Sequence, residues 1–73
     1  MSGFYGRTYR YRGKTIGVCN ASDANTYMIG FTESGYANVR IIDKELPLFF
    51  NVTEAQRKLD EYAVKHSLVE SRS

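Results

Sequence analysis

The chain has one cysteine, Cys19, and one histidine, His66. Nucleophilic catalysis would need Cys19 or a serine held within hydrogen-bond reach of a base. Asp43 and Glu45 are spaced to be imagined as ligands of a hard cation, whereas one Cys and one His cannot build a structural zinc site. The third chemical group is basic. Arg7, Arg10, Arg12 and Lys14 fall in the first fourteen residues with no acid among them, while the eight carboxylates run from Asp23 to Glu70. Cations on an exposed surface can meet phosphates, and threonine or asparagine beside them can meet base edges. What these residues can do depends on the elements that position them.

Three turns set those elements. Arg12-Gly13 reads as a two-residue loop, Ala21 to Ala24 as a four-residue loop and Glu33-Ser34-Gly35 as a three-residue loop, each between segments rich in β-branched and aromatic residues. Strands are expected over about 5–11, 14–20, 25–32 and 36–42. In the register these loops imply, Tyr9, Ile16, Ile29 and Val39 line up, as do Arg7, Val18, Tyr27 and Ile41, with Phe31 beside Ala37. That face is apolar. The opposite face collects Thr8, Arg10, Thr15, Gly17, Thr26, Met28, Gly30, Asn38 and Arg40, and reads as polar and basic.

Beyond the strands, Leu46 to Phe50 forms an apolar connector within 43–52, taken as an extended crossover because Pro47 argues against a central strand. Thr53-Glu54-Ala55-Gln56 has the form of a capping box, so a helix is expected over about 53–67. Ala55, Leu59, Tyr62, Ala63 and His66 make one stripe, directed at the apolar sheet face. Glu54 with Lys58, Arg57 with Glu61, and Glu61 with Lys65 are opposite charges four apart. Residues 70–73 read as a frayed tail. The expected fold is α+β: a four-stranded antiparallel up-and-down meander with one C-terminal helix on its apolar face, ββββα, in a single small domain covering 1–73.

This arrangement decides the chemistry. Cys19 falls on the outer face and His66 on the helix side, so the sheet separates them and no enzyme activity is expected. Cys19 reads as a small strand residue, and His66 as a boundary residue near the helix C-terminus. Asp43 and Glu45 read as ordinary loop acids. The glycines make no phosphate-cradling spacing before a helix. No catalytic set, metal, cofactor or small-molecule substrate is therefore expected.

Composition adds bounds. At 73 residues and a formal charge of +2 there is room for one domain and no charge argument for nucleic acid by itself. A lone cysteine excludes an intrachain disulfide and fits a reducing compartment. No stretch resembles a signal peptide or the roughly 20 apolar residues of a membrane span, so a cytoplasmic protein without membrane contact is expected.

Two binding surfaces remain. The first candidate is a nucleic-acid face made of Arg10, Arg12, Lys14, Thr15, Asn38 and Arg40. Antiparallel strands followed by one helix resemble the DNA-binding domains of plant ethylene-response factors and the arm-binding domains of phage integrases. Phe50-Asn51-Val52-Thr53-Glu54-Ala55 is similar to the pattern opening the helix in the plant family. That resemblance implies a sheet laid in the major groove. The chain has no tryptophan and carries an extra connector and a fourth strand, so no residue roles transfer. The second candidate is a protein interface at Tyr36, Leu46, Leu48, Phe49 and Phe50, beside strands one and four as open sheet edges. A short interaction module of the accessory or phage-encoded kind, binding a protein partner or forming a homodimer, is the preferred expectation; nucleic-acid binding is the alternative.

Overall fold

The computed structural model describes residues 4–21, 25–33 and 37–71, with backbone alone at 32, 33, 37 and 38. Four strands follow one another, β1 (Tyr5–Tyr11), β2 (Lys14–Asn20), β3 (Tyr27–Glu33) and β4 (Ala37–Arg40). A single helix, α1 (Val52–Lys65), and a short strand, β5 (Val69–Glu70), complete the chain. All pairings are antiparallel, in the order β4-β3-β2-β1-β5. The expected α+β meander with one helix packed on it is present, and a fifth strand extends it.

Arg12 and Gly13 both take positive φ, 51° and 79°, as a two-residue hairpin loop with the right twist requires. Tyr9 accordingly meets Ile16, and Tyr11 meets Lys14. Nearer its start β1 departs from expectation. Tyr5, not Arg7, lies opposite Val18, because the strand bulges between Tyr5 and Tyr9 around Gly6 at φ 82°. The other two registers also move: Ile16 meets Phe31 rather than Ile29, and Phe31 meets Val39 rather than Ala37. The β2–β3 connection is wider than the Ala21 to Ala24 loop, closing where the Ala21 N–H donates to the Thr26 carbonyl at 3.0 Å. Residues 22–24 and 34–36 lie outside the described residues. Both shifts are even, so Ile29, Phe31, Val39 and Ile41 stay on the helix side and Gly30 and Arg40 on the outer side, as the alternation requires. Ile29 is fully buried beside Ile41, while Arg40 stands opposite Gly30 on the other side.

The helix begins two residues earlier than the capping box suggests. Asn51 Oδ1 accepts from the Glu54 N–H at 3.2 Å, and asparagine is the stronger N-cap. Gln56 is freed from that role. Ala55, Leu59, Tyr62 and Ala63 are buried against Tyr9, Ile16, Val18 and Ile29, whereas His66 is exposed and leaves the stripe. On the outer side Arg57 and Lys58 both approach Glu61, at 3.9 and 3.7 Å, and Lys65 pairs with Glu45 instead of Glu61. At the C-terminus Ser67 turns left-handed at φ 57°. The Ser67 N–H donates to the Val64 carbonyl at 3.2 Å and the Leu68 N–H to the Ala63 carbonyl at 2.8 Å, a Schellman cap. This reverses the chain onto β1. Tyr9 meets Glu70, and the Ser71 N–H reaches the Thr8 carbonyl at 2.9 Å, so the tail expected to fray from residue 70 is held through Ser71. Residues 72–73 lie outside the described residues.

The connector is not a simple crossover. Continuing the β4 register would bring Asp43 opposite Tyr27, yet Phe49 occupies that position, with reciprocal backbone bonds to Tyr27 of 2.8 and 2.8 Å. Residues 43–48 are looped out, which carries Leu46 into the core beside Phe49. The outer sheet face also differs from the polar expectation. Gly17, Cys19, Met28 and Gly30 are buried there. A Cβ on Gly17 would come within 2.9 Å of the Phe4 ring and 2.8 Å of the Thr8 methyl. One on Gly30 would stand 2.4 Å from the Val39 carbonyl oxygen, so only glycine lets β4 approach β3 this closely.

Candidate protein-binding edge

Cys19 and His66 lie on opposite sides of the sheet. Cys19 is fully buried opposite Met28, and burial pushes its thiol pKa up, away from the reactive thiolate. His66 stacks on Tyr62 at 4.2 Å and faces Glu45 at 3.8 Å. Asp43 accepts from the Glu45 N–H at 2.9 Å and from the Tyr62 hydroxyl at 3.1 Å, and these bonds hold its carboxyl below the ordinary range despite partial desolvation. Among the described residues, no group of three or more His, Cys, Asp or Glu side chains is placed to hold a metal ion, and no helix is long and apolar enough to cross a membrane.

The side of the sheet nearest β5 is tied to the helix by Asp60. Its carboxylate accepts from Tyr9 Oη at 2.6 Å, Gln56 Nε2 at 3.0 Å and Arg7 Nη1 at 3.0 Å. Burial alone would raise the Asp60 pKa; the three donors overcome that and hold it down. Arg7 also faces Glu70 of β5 at 3.8 Å. A shallow groove of about 450 Å³ runs beside this knot, lined by Tyr5, Gly6, Thr53 and Gln56. A second of about 480 Å³ separates connector from helix, where Lys44, Lys58 and Lys65 alternate with Glu45 and Glu61. Neither groove collects one sign of charge.

The six residues of the nucleic-acid candidate do not form a strip. Arg10 folds back onto its own hairpin, bonding Thr15 Oγ1 and the Gly13 carbonyl at 3.4 Å each. Arg12 lies over the Tyr11 ring at 5.2 Å. Lys14 belongs to the other face: it stands opposite Tyr11, and its ammonium is 5.3 Å from the Phe31 ring centre. Arg40 is on β4, three strand spacings from β1, or roughly 14 Å. The Asn38 side chain and all of Tyr36 lie outside the description.

The protein-interface candidates divide as well. Leu46 and Phe49 are core residues, 0% and 4% exposed, and so are withdrawn from any surface. Leu48 and Phe50 are exposed, at 42% and 79%. β1, expected as an edge, is covered by β5, leaving β4 as the open long edge among the described strands. The Ile41 N–H donates to the Ile29 carbonyl at 3.0 Å. By the alternation of an antiparallel ladder, the backbone groups of Asn38 and Arg40 then point away from β3. Phe49 sits on the same flank of β3, bridging Tyr27 where Ile41 meets Ile29. Leu48 and Phe50 therefore gather at the foot of β4 with Ile42, which is 83% exposed; Val39, 39% exposed, stands on the strand itself. Sequence reasoning missed Ile42, because a strand drawn through residue 42 hides that β4 ends at Arg40.

Arg40 completes this edge. Its half-buried guanidinium has one long bond, from Nη2 to the Leu46 carbonyl at 3.4 Å, and its enclosed Nε finds no acceptor. Among the described residues no carboxylate lies within ion-pair distance of it. Comparison of the chain with models of known protein families, with curated proteins and with solved structures finds no match.

Proposed function

We propose that this domain is a non-enzymatic interaction module that takes an extended segment of a protein partner, or of a second copy, as an added strand along β4. The observation supporting this is the coincidence of outward backbone groups at Asn38 and Arg40 with the exposed side chains of Ile42, Leu48 and Phe50. In strand addition the main chain supplies affinity, and flanking pockets or apolar side chains supply selectivity. A core of this size gives only roughly 3 to 5 kcal/mol, so association would also stabilise the fold. Nucleic-acid binding is the weaker alternative, since Arg10, Arg12 and Arg40 are dispersed and two of them are spent on local contacts.

Asn38→Pro tests the reading. It removes an outward N–H at a position where an edge strand tolerates proline. Sedimentation across a wide concentration series, and capture of partners by tagged chain, should reveal a complex with the wild-type protein. The variant should lose that complex while melting, at a concentration where the wild-type chain is unassociated, at the wild-type temperature. A wild-type chain that stays monomeric, with captured proteins indifferent to Asn38→Pro, sinks the proposal. An oligonucleotide retained at low salt, released as salt rises and equally bound by the variant would move the function to the arginines.

A further inference from the structure

We infer that the segment taken up by β4 is acidic as well as extended, with a carboxylate of the incoming strand closing on the Arg40 guanidinium. This rests on the edge reading above and narrows the partner's chemistry. Arg7, Arg57, Lys58 and Lys65 each have a carboxylate partner. Arg10, Arg12 and Lys14 are exposed to water and held by hairpin oxygens or aromatic rings. Arg40 alone among these combines partial burial, an enclosed donor without an acceptor and, among the described residues, no carboxylate within ion-pair distance. A donor enclosed without an acceptor costs stability, as does a charge drawn from water without its opposite.

The position of this unpaired group is what gives it meaning. Arg40 stands on the open strand, and its neighbour on β3 is Gly30, which offers no side chain. The vacant side is the one a guest strand would fill. Cross-strand neighbours on one face have Cβ atoms about 4.5 to 5.5 Å apart, near enough for Asp or Glu to reach a guanidinium through two parallel hydrogen bonds. Val39, next along the strand, projects to the opposite face and is partly exposed. The complementary guest therefore alternates, with a carboxylate facing Arg40 and an apolar side chain on either side of it facing the helix side.

A fluorescently labelled peptide with one glutamate between two valines, and its glutamine counterpart, provide the probes, read by anisotropy. The glutamate peptide should bind the wild-type chain at least about tenfold more tightly than the glutamine peptide, the size of one charge-assisted bond. The preference should vanish in Arg40→Met and survive in part in Arg40→Lys. Arg40→Met should also melt at or above the wild-type temperature, because it removes an unpaired donor and orphans no carboxylate. Equal binding of the two peptides overturns the acidic inference and leaves the edge reading standing. Failure of both peptides, together with indifference to Asn38→Pro, overturns both. A fall of more than about 5 °C in the melting temperature of Arg40→Met would mark the guanidinium as structural and also end the inference.

Discussion

Arg7 and Arg40 sit on strands toward opposite margins of the same sheet, and their surroundings differ in kind. Arg7 faces two carboxylates, Asp60 from the helix and Glu70 from β5, and the strand that bears it is covered. Arg40 faces none among the described residues, and its strand is open. The β1 side is finished by the chain's own residues, from the Schellman cap through Ser71; the β4 side ends in backbone groups and apolar side chains directed at solvent. A domain that closes one margin with a helix-borne acid, a cap and an added strand has the means to close the other. On the function proposed above, recognition falls to β4, while β1 is the margin that the chain's own contacts close.

The largest expected blow falls on the open side. Gly30→Ala sets a methyl 2.4 Å from the Val39 carbonyl oxygen, and a backbone atom cannot swing aside as a side chain can. Urea unfolding should register a loss of about 3 kcal/mol, with hydrogen exchange quickening in β4 before β1. Uniform quickening across the sheet would show that the two margins are not independent.

Next in size is the closed side. Asp60→Asn keeps the shape but removes the charge that Tyr9, Gln56 and Arg7 address. The site is partly exposed, so the cost should be about 1 to 2 kcal/mol. A pH dependence accompanies it. The folded Asp60 carboxyl lies below its ordinary value of 3.8, so its contribution is complete above that value and is lost as pH falls through the folded pKa. Acid unfolding of Asp60→Asn should therefore be shallower than that of the wild-type chain in this range. Asp43, also held low, is common to both proteins and cancels in the difference. Parallel acid curves would remove Asp60 from its place as the fastening of β1.

The smallest change should be a gain. Ser67 adopts φ 57° in the cap that feeds β5, a conformation that costs a residue bearing a Cβ and suits glycine. Ser67→Gly should add up to about 1 kcal/mol and slow exchange of the Ser71 amide. A loss of stability there would mean that the serine side chain, not the turn, holds the tail.

Face assignment was legible in the sequence because it depends only on parity. Ile16, Val18 and Ile29 are buried under the helix as their alternation demands, and a register wrong by an even step leaves that result intact. Register was legible only beside the two-residue Arg12-Gly13 turn, where Tyr9 meets Ile16, and not across the wider loops. It depends on how many residues a loop absorbs, and Ala21 can pair with Thr26 as readily as a tighter loop can form. The helix start is ambiguous in sequence because Asn51 and Thr53 both make acceptable caps, and Asn51 prevails where Phe49 anchors the preceding chain to Tyr27. The interface residues were half legible. Hydrophobicity singles out Leu46, Leu48, Phe49 and Phe50 alike, and only the looping-out of 43–48 decides which point inward. The sequence marks Arg40 as a surface cation; that no carboxylate among the described residues pairs with it is a fact of three-dimensional neighbours that no spacing encodes.

Leu46 occupies two environments at once. Its side chain is fully enclosed among Leu59, Tyr62 and the rest of the core, while its carbonyl is the oxygen that the Arg40 guanidinium reaches. The looped segment thus joins the core under the helix to the open β4 margin through one residue. On the function proposed above, a strand added at that margin would lie a single peptide unit from the interior.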